Sequence, residues 1–147
     1  MDLSNIHPVV VHFPIALIIF SALLLMAHWL TGRNQGWLRI SALTLLVSGS
    51  FLLPVTAQTG KWAEENAERQ ASVSEATLES HEHAGELLGQ VGLGTGIVLS
   101  VLMASLLVLG DMRALMEGVL EVVAALALAF TLPYLLGAVP LGGELVY

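Results

Sequence analysis

Four apolar runs, at about residues 9–30, 37–56, 87–109 and 119–139, are divided by two short polar connections and one long one. At about 1.5 Å of rise per helical residue, each run can cross a hydrocarbon core of about 30 Å. The pattern predicts an all-α integral membrane protein, a four-helix bundle built as one domain over residues 1–147. The first connection, Thr31-Gly-Arg-Asn-Gln-Gly36, is short and rich in turn residues, which makes helices 1 and 2 antiparallel neighbours. The third, Gly110 to Ala114, is equally short.

The second connection is different in kind. Residues 57–86 are polar and carry seven glutamates (Glu64, Glu65, Glu68, Glu75, Glu79, Glu82, Glu86) against Lys61 and Arg69. Ala63, Ala67 and Ala71 recur at helical spacing and predict that helix 2 resumes past Thr59-Gly60. Ser72-Val-Ser-Glu75 fits a capping box, in which a Ser hydroxyl and a Glu carboxylate each satisfy a backbone N–H. A helix from Val73 then runs through His81 and His83 into the third apolar run. A solvated acidic loop is the alternative, and the extended helices are the preferred reading.

Composition strengthens the membrane assignment. Hydrophobic residues make up 56% of the chain and mean hydropathy is +0.81, well beyond ordinary soluble domains. The net charge of −7 is concentrated in residues 57–86 and does not describe the whole surface. Five basic residues give nucleic-acid binding no electrostatic basis. No cysteine is present, which excludes disulfides, thiolate metal sites and covalent c-type haem, and leaves histidine as the main soft ligand. Met1 to His7 lacks Lys and Arg, and the first run is too long for a signal peptide, so it is expected to remain as a membrane helix. No phosphate loop, His-Glu-x-x-His or nucleophile elbow occurs.

Arg33, Arg39 and Arg113 lie at the short connections, while Lys61 and Arg69 sit among glutamates. The positive-inside rule then predicts both termini and residues 57–86 outside, in a multi-pass protein of the bacterial cytoplasmic membrane. This orientation puts His7, His12, His81 and His83 on the outer side and His28 alone near the inner end. His12 is the sharpest case, because it lies one turn inside an apolar span, where an ionisable group is costly without a partner.

Each histidine also has an ordinary explanation. His7 precedes a first-turn proline, His83 sits among solvated glutamates, and His28 adjoins Trp29 as an interfacial pair. His12 can be a buried group hydrogen-bonded to a neighbouring helix. In helix 3, the spacings of Gly85 and Gly89, and of Gly92 and Gly96, allow close helix approach. Gly85 and Gly89, one and two turns after His81, also clear space for a flat cofactor. Pro14, Pro54, Pro133 and Pro140 are expected to break or kink helices, widening the outer end of the bundle.

The opening His7-Pro-x-x-Val-His12-Phe-Pro-Ile-Ala-Leu, Thr59-Gly60-x-x-Ala63, His81-Glu-x-x-Gly85 and the terminal Gly-Gly-Glu-Leu-Val-Tyr resemble a bacterial family of small four-helix membrane proteins of unknown function. The resemblance covers essentially the whole chain. It implies a four-helix membrane bundle and kinship with two-haem cytochrome b-type membrane proteins, without supplying an activity.

The leading expectation is therefore a b-type haem held by His12 and His81 near the outer face, with His7 and His83 supporting it and Gly85 and Gly89 making room. Its role is electron transfer, with a quinone or redox protein as partner and membrane lipid around it. A second haem at His28 lacks a histidine partner, leaving only Met26, Met103, Met112 or Met116 as a second ligand. The runner-up is a Zn²⁺ or Cu²⁺ site on His12 and His81 with His7, His83 and Glu82 or Glu144. His81 and His83 cannot share one helical face, which counts against that cage if the segment is helical. The third reading is an accessory or structural membrane subunit without cofactor.

Overall fold

The computed structural model describes residues 7–67, 75–108 and 113–144, with side-chain surroundings for 9–62, 79–106, 108 and 114–135. These residues form four helices: α1 (His7–Leu30), α2 (Gly36–Ala67), α3 (Glu75–Val108) and α4 (Arg113–Glu144). No strand occurs among them. Each helix contains a stretch long and apolar enough to cross a membrane: Val9–Leu30, Gly36–Trp62, Glu79–Leu106 and Ala114–Leu135.

The acidic connection is helical from both sides, since α2 runs on to Ala67 and α3 begins at Glu75. The remainder of the capping box, Ser72 to Ser74, lies outside the described residues. Lys61 bridges Glu82 at 3.5 Å and also pairs with Glu86, so the polar ends of α2 and α3 are tied together. The prolines do not end helices. Pro14 and Pro54 lie inside α1 and α2, and α4 continues through Pro133 and Pro140.

Helices pack against their chain neighbours, with α2 between α1 and α3, and α4 against α3; of the four seams around the bundle, α1/α4 is the sparsest. On α1 the buried stripe is Pro14, Ile18, Ser21, Leu25 and His28, spaced at alternating threes and fours. Leu46, Leu99, Leu120 and Ala124 bring α2, α3 and α4 to the same core. The opposite faces are also apolar, with Phe20, Leu23, Ile40, Val101 and Leu126 exposed. A helix that is apolar all round suits a lipid-facing position.

Lipid tails are as apolar as leucine, so close contact has to hold such helices together. Glycine supplies it on both sides of α2. A Cβ on Gly49 would stand 2.9 Å from Ile18 Cγ1 on α1. One on Gly92 would stand 2.7 Å from Leu53 Cδ1 and 2.8 Å from the Ser50 carbonyl oxygen. Buried hydroxyls bond within their own helix, Thr56 donating to the Leu53 carbonyl at 2.7 Å and Thr131 to the Ala127 carbonyl at 2.8 Å.

Gly92→Ala is therefore expected to destabilise the bundle by about 1–3 kcal/mol, because the new methyl group meets backbone that cannot retreat. Gly94→Ala, where nothing lies within 4 Å, should be neutral or slightly stabilising. Thermal unfolding in detergent compares the two.

Candidate functional site

Among the described residues, the sequence-predicted site residues differ in burial and lie on α1 and α3. His12 is exposed, on the face of α1 roughly opposite Pro14, two positions and about 200° away. His81 is half-buried and lies seven residues before buried Leu88, on the same stripe of α3. Helices α1 and α3 are not close-packed neighbours. His83 is exposed. His7 is the first residue of α1, but its side chain, like that of Glu144, lies outside the described ones.

The two glycines differ as well. A Cβ on Gly85 would meet nothing within 4 Å, so there is open space one turn beyond His81. On Gly89 it would stand 3.2 Å from Ala57 Cβ and 3.4 Å from Pro54 Cα. Gly89 therefore serves the α2/α3 contact. For a haem the fit is one-sided: His81 and Gly85 offer an inward imidazole beside open space, while His12 faces elsewhere. For a multi-ligand metal ion there is less, since among the described residues no three His, Asp or Glu side chains gather.

A different polar cluster stands at the other end of the bundle. Helix α1 stops in a turn closed by two backbone bonds, Arg33 N–H to the His28 carbonyl at 3.0 Å and Gly32 N–H to the Trp29 carbonyl at 3.2 Å. This is a Schellman closure, which requires a left-handed residue after the helix. Gly32 takes it at φ 71°, and Arg33 follows at φ 64°. A non-glycine residue there costs about 1–2 kcal/mol. The conformation accompanies a bond across the bundle, Arg33 Nη2 to Glu121 Oε2 on α4 at 2.7 Å.

Glu121 is 4% exposed and collects groups from three parts of the chain. Trp29 Nε1 donates to its Oε2 at 3.3 Å, and Arg39 Nη1 of α2 stands 3.6 Å from its Oε1. Arg39 also bonds Glu117 Oε2 at 2.9 Å. His28, 1% exposed, places Nε2 3.5 Å from Glu121 Oε1 and Nδ1 3.1 Å from the Gln35 carbonyl. Two arginines thus face two glutamates, with one histidine between the end of α1 and the start of α4.

Sequence reasoning passed over this cluster by treating His28 as an interfacial neighbour of Trp29. The signal was there: Glu121 falls inside the fourth apolar run and Arg39 inside the second. Ionisable residues at such positions carry functional meaning by default. Glu117 and Glu121, four apart, also share a helix face.

The family model described as "Predicted membrane protein (DUF2231)" matches residues 3–147. The chain belongs to this family. No curated protein and no solved structure matches it. Family membership supports the membrane fold and carries no activity.

Arg39→Ala would strip Glu117 of an ion-pair partner and buried Glu121 of a nearby cation. A loss of roughly 3 kcal/mol is expected, the scale for breaking a buried pair. Lys61→Ala, at an exposed pair, should leave the melting temperature near that of the unmodified protein. Differential unfolding of the two variants in the same detergent reads the contrast.

Proposed function

We propose that this family member is a multi-pass protein of the bacterial cytoplasmic membrane that holds a b-type haem through His81 and serves in electron transfer. The observation that carries the reading is the place of His81 on the interior stripe of α3, with open space at Gly85 one turn on. Bound haem would supply one-electron chemistry, and the protein's contribution would be ligation, orientation and exclusion of water. His81 is the residue for ligation. Leu88 and the α2/α3 contact at Gly89 hold the helix that presents it. A quinone or a redox protein is the expected partner, since both exchange electrons at a membrane face.

His12 enters this reading differently from His81. It is exposed on α1, and α1 is not packed closely against α3, so His81 is the single histidine ligand expected from one chain. The purified protein should then show a Soret band of high-spin, five-coordinate character. His81→Ala should abolish it, and His12→Ala should leave it largely unchanged. Loss of the band in His12→Ala as well would restore the two-histidine arrangement. A protein with no Soret band after expression with haem supply would point to the accessory-subunit reading.

The orientation proposed is short connections inside and acidic segment outside, supported by Arg33, Arg39 and Arg113. A reporter enzyme active only in the periplasm should work when fused at Tyr147. Activity only for a fusion at Gly36 would reverse the orientation and place the His81 end in the cytoplasm.

A further inference from the structure

The two ring nitrogens of His28 face partners with conflicting demands. Nδ1 lies 3.1 Å from the carbonyl oxygen of Gln35. A carbonyl can only accept, which assigns a proton to Nδ1. The same carbonyl also takes the Leu38 N–H at 3.1 Å and is thereby held in place at the start of α2. Nε2 points the other way, 3.5 Å from Glu121 Oε1. Both of these atoms are buried, and neither has a hydrogen-bond partner.

With Nδ1 protonated, a neutral imidazole would set the Nε2 lone pair against a carboxylate oxygen. Two buried acceptors would then face each other with no hydrogen between them, an unfavourable arrangement for groups withdrawn from water. A single proton between them removes the conflict. It resides on Nε2, giving imidazolium and carboxylate, or on Oε1, giving a carboxylic acid that donates to imidazole. We propose that His28 and Glu121 form a proton-binding site in which Nε2 and Oε1 share one proton.

The surroundings are consistent with one proton and no more. Trp29 on α1, Arg33 in the turn, Arg39 on α2 and Glu117 on α4 complete the polar groups facing the pair. Arg33 and Arg39 balance Glu117 and Glu121, so the cluster is neutral when empty and carries +1 when the proton is bound. When the proton leaves, Arg39 Nη1, at 3.6 Å, is the nearest remaining donor to Oε1. Uptake takes a proton from hydronium and leaves water, with no electron moving.

Glu121 also borders a surface groove. A groove of about 720 Å³ runs along the outside of the α1/α4 seam, lined by Trp29, Arg33, Leu115, Gly118 and Val122, and Glu121 forms part of its wall. Arg33, with a side chain 58% exposed, stands at its polar end. The carboxyl group therefore lies between the buried imidazole and the groove. The site is independent of the haem reading and sits at the opposite end of the bundle from His81.

The test uses the full chain in lipid nanodiscs with ¹⁵N-labelled histidine, the His28 ring signals being assigned through bonds. Two results support the site: both His28 nitrogens protonated at neutral pH, or an infrared band of a protonated carboxyl group. Glu121→Gln keeps the size and can donate to Nε2, so it should convert His28 to a neutral ring and remove either signature. It should also lower the number of protons bound in a pH titration by one. The His81 and His83 signals should not move. A wild-type spectrum with a bare Nε2 and no protonated carboxyl, throughout the pH range in which the protein stays folded, overturns the proposal even if Glu121→Gln does not fold.

Discussion

One carboxylate in the wrong solvent organises an entire end of this molecule. Glu121 occupies the buried stripe of a largely apolar helix, where an unpaired charge is too costly to persist. Its position therefore dictates where other parts of the chain go. The turn after α1 takes up two successive left-handed residues, and Arg33 reaches across to α4. Arg39 leans from α2 towards both Glu117 and Glu121. Because α1 and α4 otherwise meet sparsely, this clasp is what closes the ring of helices. Apolar residues of equal volume would often stabilise a bundle as well or better. The cluster is thus better understood through what it can bind than through the stability it adds.

The middle of the bundle works by a different rule. Gly49 and Gly92 let α1 and α3 approach α2 to near backbone contact, where dispersion replaces the missing hydrophobic drive. Ile18, Leu25, Leu46 and Leu99 then fill the core around these contacts. This apolar section separates two polar ends with unlike chemistry. One holds His81 above the Lys61 bridge to Glu82 and Glu86; the other holds the His28–Glu121 pair. A charge or proton placed at one end is insulated from the other by most of the apolar length, and no polar chain crosses the core among the described residues.

The histidines show how far residue type can be read without neighbours. His12, one turn inside the first apolar run, is the strongest candidate in the sequence, yet its side chain lies on the exposed face of α1. His28, placed in the sequence as a bland boundary residue, is almost wholly buried and has a carboxylate beside it. Depth along a helix is legible from residue number. The direction a residue faces around the helix depends on which stripe the neighbours cover, and here α2 covers the Pro14–Ile18–His28 side.

Length and hydropathy are local properties, and they made the four spans and the extension of α2 and α3 into the acidic segment legible from residue order alone. The sequence also contained the ionisable residues of the clasp at positions where hydrocarbon forbids them to stand alone. Their partnership came from packing. Glu121 meets Arg33, Arg39, His28 and Trp29 from 82 to 93 positions earlier in the chain, and no local pattern encodes which distant charge will pair with which. Glycine followed the same division: spacing announced that helices could come close, but only packing showed Gly92 pressed against Ser50 and Leu53 while Gly85 stays open. The physical reason is that a helix fixes its own periodicity through its backbone, whereas the choice of a buried face is made by whatever packs against it.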